Sequence, residues 1–329
     1  MTKHYAIGID LGGTNIKAAL VERSAGVVFA QSTPTEADRG ADHVLRRIVG
    51  LVREVIAAAP KKEVAGIGIG APGTIDWDRT SISYPPNIPG WTKVNLRDVL
   101  QEHLGENIHV VVENDANVAA LGSAHYGAGR PYDAFIMVTL GTGVGGAIIY
   151  QNTIFRGATG GAGEIGHMTI DYEGPMARSG VAGAIEAYLG QRFLSRHARY
   201  RLLNYLDSPL HQDAGPDMVD LTPEMLSNAA AGGDEGALSV LAWAGHKLGC
   251  VLGAAINLLD IRIVIVGGGV SAAGDLILGP ARETVQHFIK PGLREGVLLL
   301  QETLGNEVGM LGAAYLVFEL LDTHALTPE

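Results

Sequence analysis

Twice in this chain an apolar strand candidate breaks into a glycine-rich turn and returns as a second strand. Tyr5 to Ile9 runs into Asp10-Leu11-Gly12-Gly13-Thr14 and returns over Asn15 to Val21. Phe135 to Leu140 runs into Gly141-Thr142-Gly143-Val144-Gly145-Gly146 and returns over Ala147 to Tyr150. Thr142 lies 128 positions after Thr14, and a recurrence of that length predicts two similar domains. A chain of 329 residues exceeds the usual span of one hydrophobic core, and 47% hydrophobic content is enough to fill two.

The segments between the turns alternate in type. His43 to Ala59 has helical apolar spacing, Val64 to Ile69 and His109 to Val112 read as short buried strands, and a helix is expected from about Ala116 to Tyr126. Further on, Glu186 to Leu203 is helical in spacing, Tyr205 to Val219 reads as a surface excursion rich in Asp, Pro and Gly, and Thr222 to Leu259 returns to helix with Thr222 and Pro223 as cap and first-turn residues. Ile261 to Val266 is a β-branched strand that runs into Gly267-Gly268-Gly269, and Ser271 to Phe288 reads as a helix. Helices alternating with strands place the chain in the α/β class.

Composition removes several function classes. A formal net charge of -11 repels phosphate backbones and anionic lipid, and no Lys/Arg cluster stands out to overcome it, so nucleic acid is not an expected partner. A single cysteine, Cys250, excludes an internal disulfide and any site built on several thiolates, fits a reducing compartment, and reads as a buried, inert thiol. The N-terminus is too short in apolar residues before Asp10 for a signal peptide. The longest apolar region, Leu248 to Val266, carries Asn257, Asp260 and Arg262, which oppose a membrane span. A cytoplasmic protein is expected.

Glycine turns let main-chain N–H groups approach phosphate oxygens, because no side chain intervenes and positive φ is open to them. Thr14 and Thr142 add hydroxyl donors. A plain hairpin turn is the alternative for each turn taken alone. Neither has the Gly-Lys-Ser/Thr ending of a P-loop, the triglycine at Gly267 comes too late in the chain for a dinucleotide fingerprint, and protein-kinase motifs are absent. That triglycine, between a strand and a helix, could instead let a purine or ribose lie against the backbone, with Ser271 available for hydrogen bonding.

An acceptor group is expected at Asn114-Asp115, which ends a buried strand and opens a helix. One carboxylate on such a rigid element could take a hydroxyl proton as a phosphoryl group transfers in line, or the pair could simply cap the helix. Glu164 and His167 follow glycine-rich Gly157 to Gly163 and offer the mixed donors and acceptors that polyol hydroxyls need, although a histidine is more often a surface or satisfied core residue. Glu186 opens the next helix, where the helix dipole alone favours an acid.

Taken together these stretches resemble the ROK family of bacterial sugar kinases and, within it, the glucokinases. The resemblance rests on Ile9 to Lys17, Gly70-Ala71-Pro72-Gly73, Pro86 to Trp91, Glu113 to Asn117, Leu140 to Gly146, Gly163 to His167 and Val266 to Val270, seven stretches in the family's order. It implies an actin-like ATPase (ribonuclease H-like) fold with two similar α/β domains around a cleft. Residues 1–115 would form the smaller domain, a C-terminal helix at about 310–329 would pack back on it, and residues 116–309 would form the larger one. It implies phosphorylation of a hexose by ATP, with glucose favoured and fructose, mannose, N-acetylmannosamine or N-acetylglucosamine as alternatives. Asp115 would be the catalytic base. Gly73, Asn87, Asn114, Glu164, His167 and Glu186 would contact the sugar. Gly12, Gly13, Thr14, Lys17, Thr142 and Gly143 would hold phosphates, and Gly268 and Gly269 would lie at the adenosine, while Asp10 would orient Mg²⁺ through water. A homodimer or homotetramer is implied, and in some relatives polyphosphate could replace ATP as donor.

Some family members are instead sugar-responsive repressors with a helix-turn-helix domain ahead of the kinase-like part. Here the first phosphate strand begins by Tyr5, and the acidic balance also disfavours DNA, so a repressor or a catalytically inactive sensor is the lesser expectation.

One departure from the family pattern has structural consequences. Many members carry Cys-x-Cys-Gly-x-x-Gly-Cys-x-Glu, which binds structural zinc together with the histidine matching His167. Here Gly180, Gly183 and Glu186 remain, but Ala177, Ser179 and Ala184 stand at the thiolate positions. Zinc is therefore not expected, and the loop from Gly174 to Gly183 must be held by packing or be more mobile.

Overall fold

The computed structural model describes residues 4–59, 64–86 and 88–325. The chain begins with an antiparallel meander, β1 (Tyr5–Leu11), β2 (Asn15–Glu22) and β3 (Gly26–Pro34), whose first two strands are apolar and buried along most of their length. Helix α1 (Ala41–Ala58) follows and buries Val44, Ile48, Leu51, Val52 and Val55, a stripe at helical spacing. Strand β4 (Val64–Ala71) runs parallel to β1. A small three-stranded sheet, β5 (Thr74–Ile75), β6 (Ser81–Ser83) and β7 (Lys93–Asn95), leads into α2 (Leu96–Leu104), where the Asn95 side chain caps the helix by accepting the Asp98 amide. Strand β8 (His109–Asn114) lies parallel to β4 and passes directly into α3 (Asp115–Tyr126).

The second half repeats the plan with β9 (Phe135–Leu140), β10 (Val144–Tyr150) and β11 (Thr153–Ile154). Helices α4 (Glu186–Leu189), α5 (Gln191–Leu202), α6 (Leu210–Asp213), α7 (Pro223–Ala231) and α8 (Glu235–Leu259) come next. Strand β12 (Ile263–Gly267), α9 (Asp275–Phe288), β13 (Leu298–Gln301) and α10 (Val308–Ala325) complete the chain.

The sheet orders are β3-β2-β1-β4-β8 and β11-β10-β9-β12-β13. They match position for position, including a central parallel pair, β1 with β4 and β9 with β12. The duplication expected from the glycine turns is therefore present in the strand order itself.

By contacts the chain divides into two compact units, one made of residues up to Asp133, Ile148–Ala162 and those from Asn306 onward, the other of Ala134–Ala147 and Gly163–Gly305. This division differs from the boundary expected at residue 115, because α3 and the 148–162 segment fall in the first unit. α10 packs on β1, β4 and α3. It approaches so closely that a methyl group at Gly68 would stand 1.7 Å from the Ala313 carbonyl oxygen, so the sheet needs glycine there.

Several expected elements are subdivided by turn chemistry. The helix expected over 186–203 is interrupted at Gly190, where the backbone is extended, and the one expected over 222–259 is interrupted at Gly232-Gly233, after which Asp234 caps α8 through the Ala237 amide. The helix expected from Ser271 begins as a 3-10 turn over Gly269–Ala273 and becomes α-helical only at Asp275. β3, β13 and the small sheet were not anticipated. The excursion at 205–219 contains α6 and a 3-10 turn at Pro216–Met218.

Basic residues are more clustered than expected, since α5 carries Arg192, Arg196, Arg199 and Arg201. Arg196 covers the Phe193 ring and Arg201 the Trp243 ring. Cys250 is partly rather than fully buried, and its burial raises the thiol above its ordinary value, which keeps it protonated and unreactive. By length and composition α8 is apolar enough to cross a membrane, but most of that stretch is buried and packs along α9.

Candidate active site

The residues expected to act fall into two groups, one in each unit. In the first unit, Asp10 is the penultimate residue of β1 and pairs across the hairpin with Lys17 on β2, whose Nζ donates to the Asn306 side chain at 3.1 Å. Burial pushes the Asp10 carboxyl up to about 6; the Lys17 charge opposes this, while the Asp115 carboxylate adds to it. The turn beyond Asp10 is closed by its own chain. The Gly12 amide donates to the Asn15 carbonyl at 3.0 Å, and the Thr35 hydroxyl donates to the Gly12 carbonyl at 2.6 Å. Thr14 is exposed on this turn. Gly309, at the start of α10, lies beside the Asp10 carboxyl.

Asn114 and Asp115 stand where β8 becomes α3. The Asn114 Oδ1 accepts the Ala116 and Asn117 amides at 2.9 and 3.3 Å, so the capping alternative is realised, while its Nδ2 leans toward the Gly73 carbonyl at 3.5 Å. Gly73 has φ 99°, and a methyl there would stand 2.8 Å from the Ser83 carbonyl oxygen, so this turn admits only glycine without strain. Asp115 is the first helical residue, and its Oδ1 accepts the Ala116 amide at 2.8 Å. Its residue surface stays open to solvent, yet the carboxyl is crowded by protein atoms, and this desolvation, only partly offset by backbone amides, holds it above the usual carboxylate range. Asn87 lies outside the described residues.

Behind this pair sits an ionic cluster that the sequence did not reveal. Glu113 is fully buried, with Oε1 accepting the Asn114 amide at 2.9 Å and the Asn117 side-chain amide at 3.1 Å. Its Oε2 lies 3.0 Å from both Arg79 Nε and Arg156 Nε, at ion-pair distance though the contacts are not aligned as hydrogen bonds. Arg156 in turn donates to the Asp76 and Trp77 carbonyls and stacks on the Trp77 ring. A glutamate closing the buried run His109 to Val112 was the available signal, since a buried carboxylate requires partners. The two arginines come from distant segments that no local pattern links to it.

In the second unit, the turn between β9 and β10 is braced from outside. Gly141 donates to the Gly143 carbonyl and accepts the Gln191 amide, each at 2.9 Å. Glu186 Oε2 accepts the Val144 amide at 3.2 Å, and a methyl at Gly143 would stand 2.4 Å from that oxygen. Glu186, expected as a sugar contact, is thus already bonded to the glycine turn. Thr142 is exposed, as Thr14 is. Gly268 and Gly269 open the 3-10 turn after β12, with Gly268 at φ 87° against the end of β9. Ser271, expected to be available to a nucleotide, is buried and donates its hydroxyl to the Gly268 carbonyl at 2.7 Å, so it stabilises the turn instead.

Glu164 and His167 bracket the 3-10 turn Ile165–His167, and His167 Nε2 lies 3.6 Å from Glu164 Oε2. The other ring nitrogen, Nδ1, is 3.1 Å from the Ser179 hydroxyl. The residues around His167 do not fit zinc: Ala177 and Ala184 are buried and have no donor atom, and among the described residues no group of three or more His, Cys, Asp or Glu could hold a metal. The loop is held by its own backbone. Ala177 N donates to Val181 O at 3.0 Å, Gly180 N to Ala177 O at 3.0 Å and Gly183 N to Pro175 O at 2.8 Å, while the Thr169 hydroxyl reaches the Ala182 carbonyl at 3.0 Å.

A family model described as "ROK family" matches residues 6–319. A glucokinase of Thermotoga maritima is 34% identical over 320 residues, 97% of this chain and 99% of that protein. A glucokinase of Halalkalibacterium halodurans is likewise 34% identical, over 96% of each. Among solved structures, a ROK family glucokinase of Streptomyces griseus in complex with glucose and AMPPNP superposes with a TM-score of 0.84 at 33% identity, covering 96% of this chain and 99% of that one. With paired five-stranded sheets, two glycine turns and the Asn114-Asp115 and Glu164-His167 pairs in these positions, the chain has the actin-like ATPase fold and belongs to the ROK family.

Proposed function

We propose that this chain is an ATP-dependent hexose kinase whose preferred acceptor is glucose, giving glucose 6-phosphate and ADP. The observation that carries the reading is Asp115, whose carboxylate is fixed at the start of α3 and has its proton affinity raised by the protein atoms that crowd it. Raised proton affinity is what a carboxylate needs in order to take a hydroxyl proton in the transition state. In this reading the proton of the sugar's 6-hydroxyl passes to Asp115, the oxygen bonds to the γ-phosphorus, and the bond from that phosphorus to the β,γ-bridging oxygen breaks, leaving ADP. Gly73, Asn87, Asn114, Glu164, His167 and Glu186 are the proposed contacts to the sugar hydroxyls.

The turns at Gly12, Gly13 and Thr14 and at Thr142 and Gly143, with Lys17, hold phosphates, and Gly268 and Gly269 accept the adenosine. Mg²⁺ would screen the phosphate charge. Asp10, a partly buried residue at the head of the first turn, would supply one carboxylate to a magnesium held largely through water. What supports glucose is the similarity to the named glucokinases over nearly the whole chain. A cytoplasmic location and a homodimeric or homotetrameric state belong to the same proposal by resemblance.

The test is a coupled assay of ADP release over glucose, mannose, fructose, N-acetylglucosamine and N-acetylmannosamine. Glucose is expected to give the highest kcat/KM and to stimulate nucleotide turnover strongly over the sugar-free rate. If no sugar does so, the kinase reading is wrong.

A further inference from the structure

The contact between Ser179 and His167 has a consequence for the sugar site. A neutral imidazole carries its proton on one nitrogen, and the partners of the two nitrogens decide which. His167 Nε2 faces the Glu164 carboxylate at 3.6 Å, an acceptor that favours N–H at that position. Nδ1 is then left as an acceptor, and the Ser179 hydroxyl at 3.1 Å can rotate to donate to it. The hydroxyl stands on a loop closed by four backbone hydrogen bonds, from Gly174, Ala177, Gly180 and Gly183, so its position is set by the main chain. At the other end of the segment, the turn carrying His167 is seated on β10, where a methyl at Gly166 would stand 1.9 Å from the Val144 carbonyl oxygen.

We infer that Ser179 is a positioning residue that does without metal what a ligated ion does for a histidine: it fixes the ring orientation and the tautomer. His167 then presents Nε2–H, beside the Glu164 carboxylate, to adjacent sugar hydroxyls as a matched donor and acceptor. The inference rests on the proposal that His167 and Glu164 bind sugar. Ser179 itself touches neither substrate.

Two measurements separate this role from a structural one. In steady-state kinetics, Ser179→Ala is expected to raise KM for glucose about threefold to tenfold, the worth of one hydrogen bond, with kcat and KM for ATP unchanged. Ser179→Thr, which keeps the hydroxyl, should return KM for glucose to near the starting value. Independently of activity, nitrogen-15 spectra of histidine-labelled protein in alkaline buffer should show His167 protonated on Nε2, and Ser179→Ala should convert it to a mixture of tautomers. An unchanged KM for glucose together with an unchanged tautomer in Ser179→Ala would overturn the inference, as would one tightly bound zinc per purified chain. If no sugar supports turnover at all, the kinase reading fails, while the spectra still decide what Ser179 does to His167.

Discussion

In the first unit the glycine turn is closed from within: Gly12 donates to Asn15, and Thr35 reaches over from the end of the neighbouring β3. In the second, the equivalent turn is held from outside, by the Gln191 amide at the start of α5 and by the Glu186 carboxylate of α4. The strand orders match, yet the bracing does not. In the first unit the acid, Asp10, is part of the strand and is raised to about 6 by its own burial. In the second the acid arrives from a helix and is bonded to a main-chain amide. The duplicated units therefore share the strand–turn–strand plan while the means of stiffening the turn differ, and only the second brace connects its turn to a residue proposed at the sugar.

The sharpest way to probe the first unit is to break what anchors the segment that carries Asn114 and Asp115. Arg156→Ala leaves Glu113 buried with one fewer cation, and removing one partner of a buried ion pair costs about 3–5 kcal/mol. Urea unfolding should show that loss. A change below about 1 kcal/mol would mean that the cluster does not hold β8 and α3 in place.

Asp10 gives the next largest effect. Its folded value, about 6, lies above the ordinary 3.8, so its contribution to stability is fully present below about pH 4 and is lost as pH rises through 6. The loss approaches roughly 3 kcal/mol, an upper figure because the residue as a whole is only partly buried. Nucleotide-free protein should lose stability over that window relative to Asp10→Asn, and parallel pH profiles would contradict the burial of Asp10.

The smallest effect compares the turns directly. A methyl at Gly12 would stand 2.8 Å from the backbone oxygen of Asn15, whereas one at Gly143 meets only the flexible end of Glu186. Gly12→Ala should cost about 1–3 kcal/mol of stability because main chain must move. Gly143→Ala should cost less than about 1 kcal/mol, yet by pushing Glu186 off the Val144 amide it should lower kcat/KM for both glucose and ATP. Equal stability losses would mean that the two turns are braced alike.

Much of this was legible in the sequence because glycine turns and apolar strands are local signals. The repeated strand–turn–strand unit, the α/β class and the helix opening at Asp115 all follow from short windows. What escaped depends on contacts between segments far apart in the chain. Arg79 and Arg156 meet at Glu113 from separate loops, and β13 is too short to stand out before it pairs with β12. The roles of Ser271 and Ser179 were hidden for a related reason, since a hydroxyl's partner is chosen by the turn it sits in. Helix ends at Gly190 and Gly232 were masked by apolar spacing that continues across the interruption.

The central claim is that Asp115 takes the proton from a sugar hydroxyl during phosphoryl transfer. ADP release with glucose in Asp115→Asn, set beside the unaltered protein, tests it most directly. Kcat should fall by about a thousandfold, within the range for loss of a general base, while glucose affinity measured by calorimetry changes by no more than about threefold. Turnover in Asp115→Asn at the rate of the unaltered protein would contradict the claim.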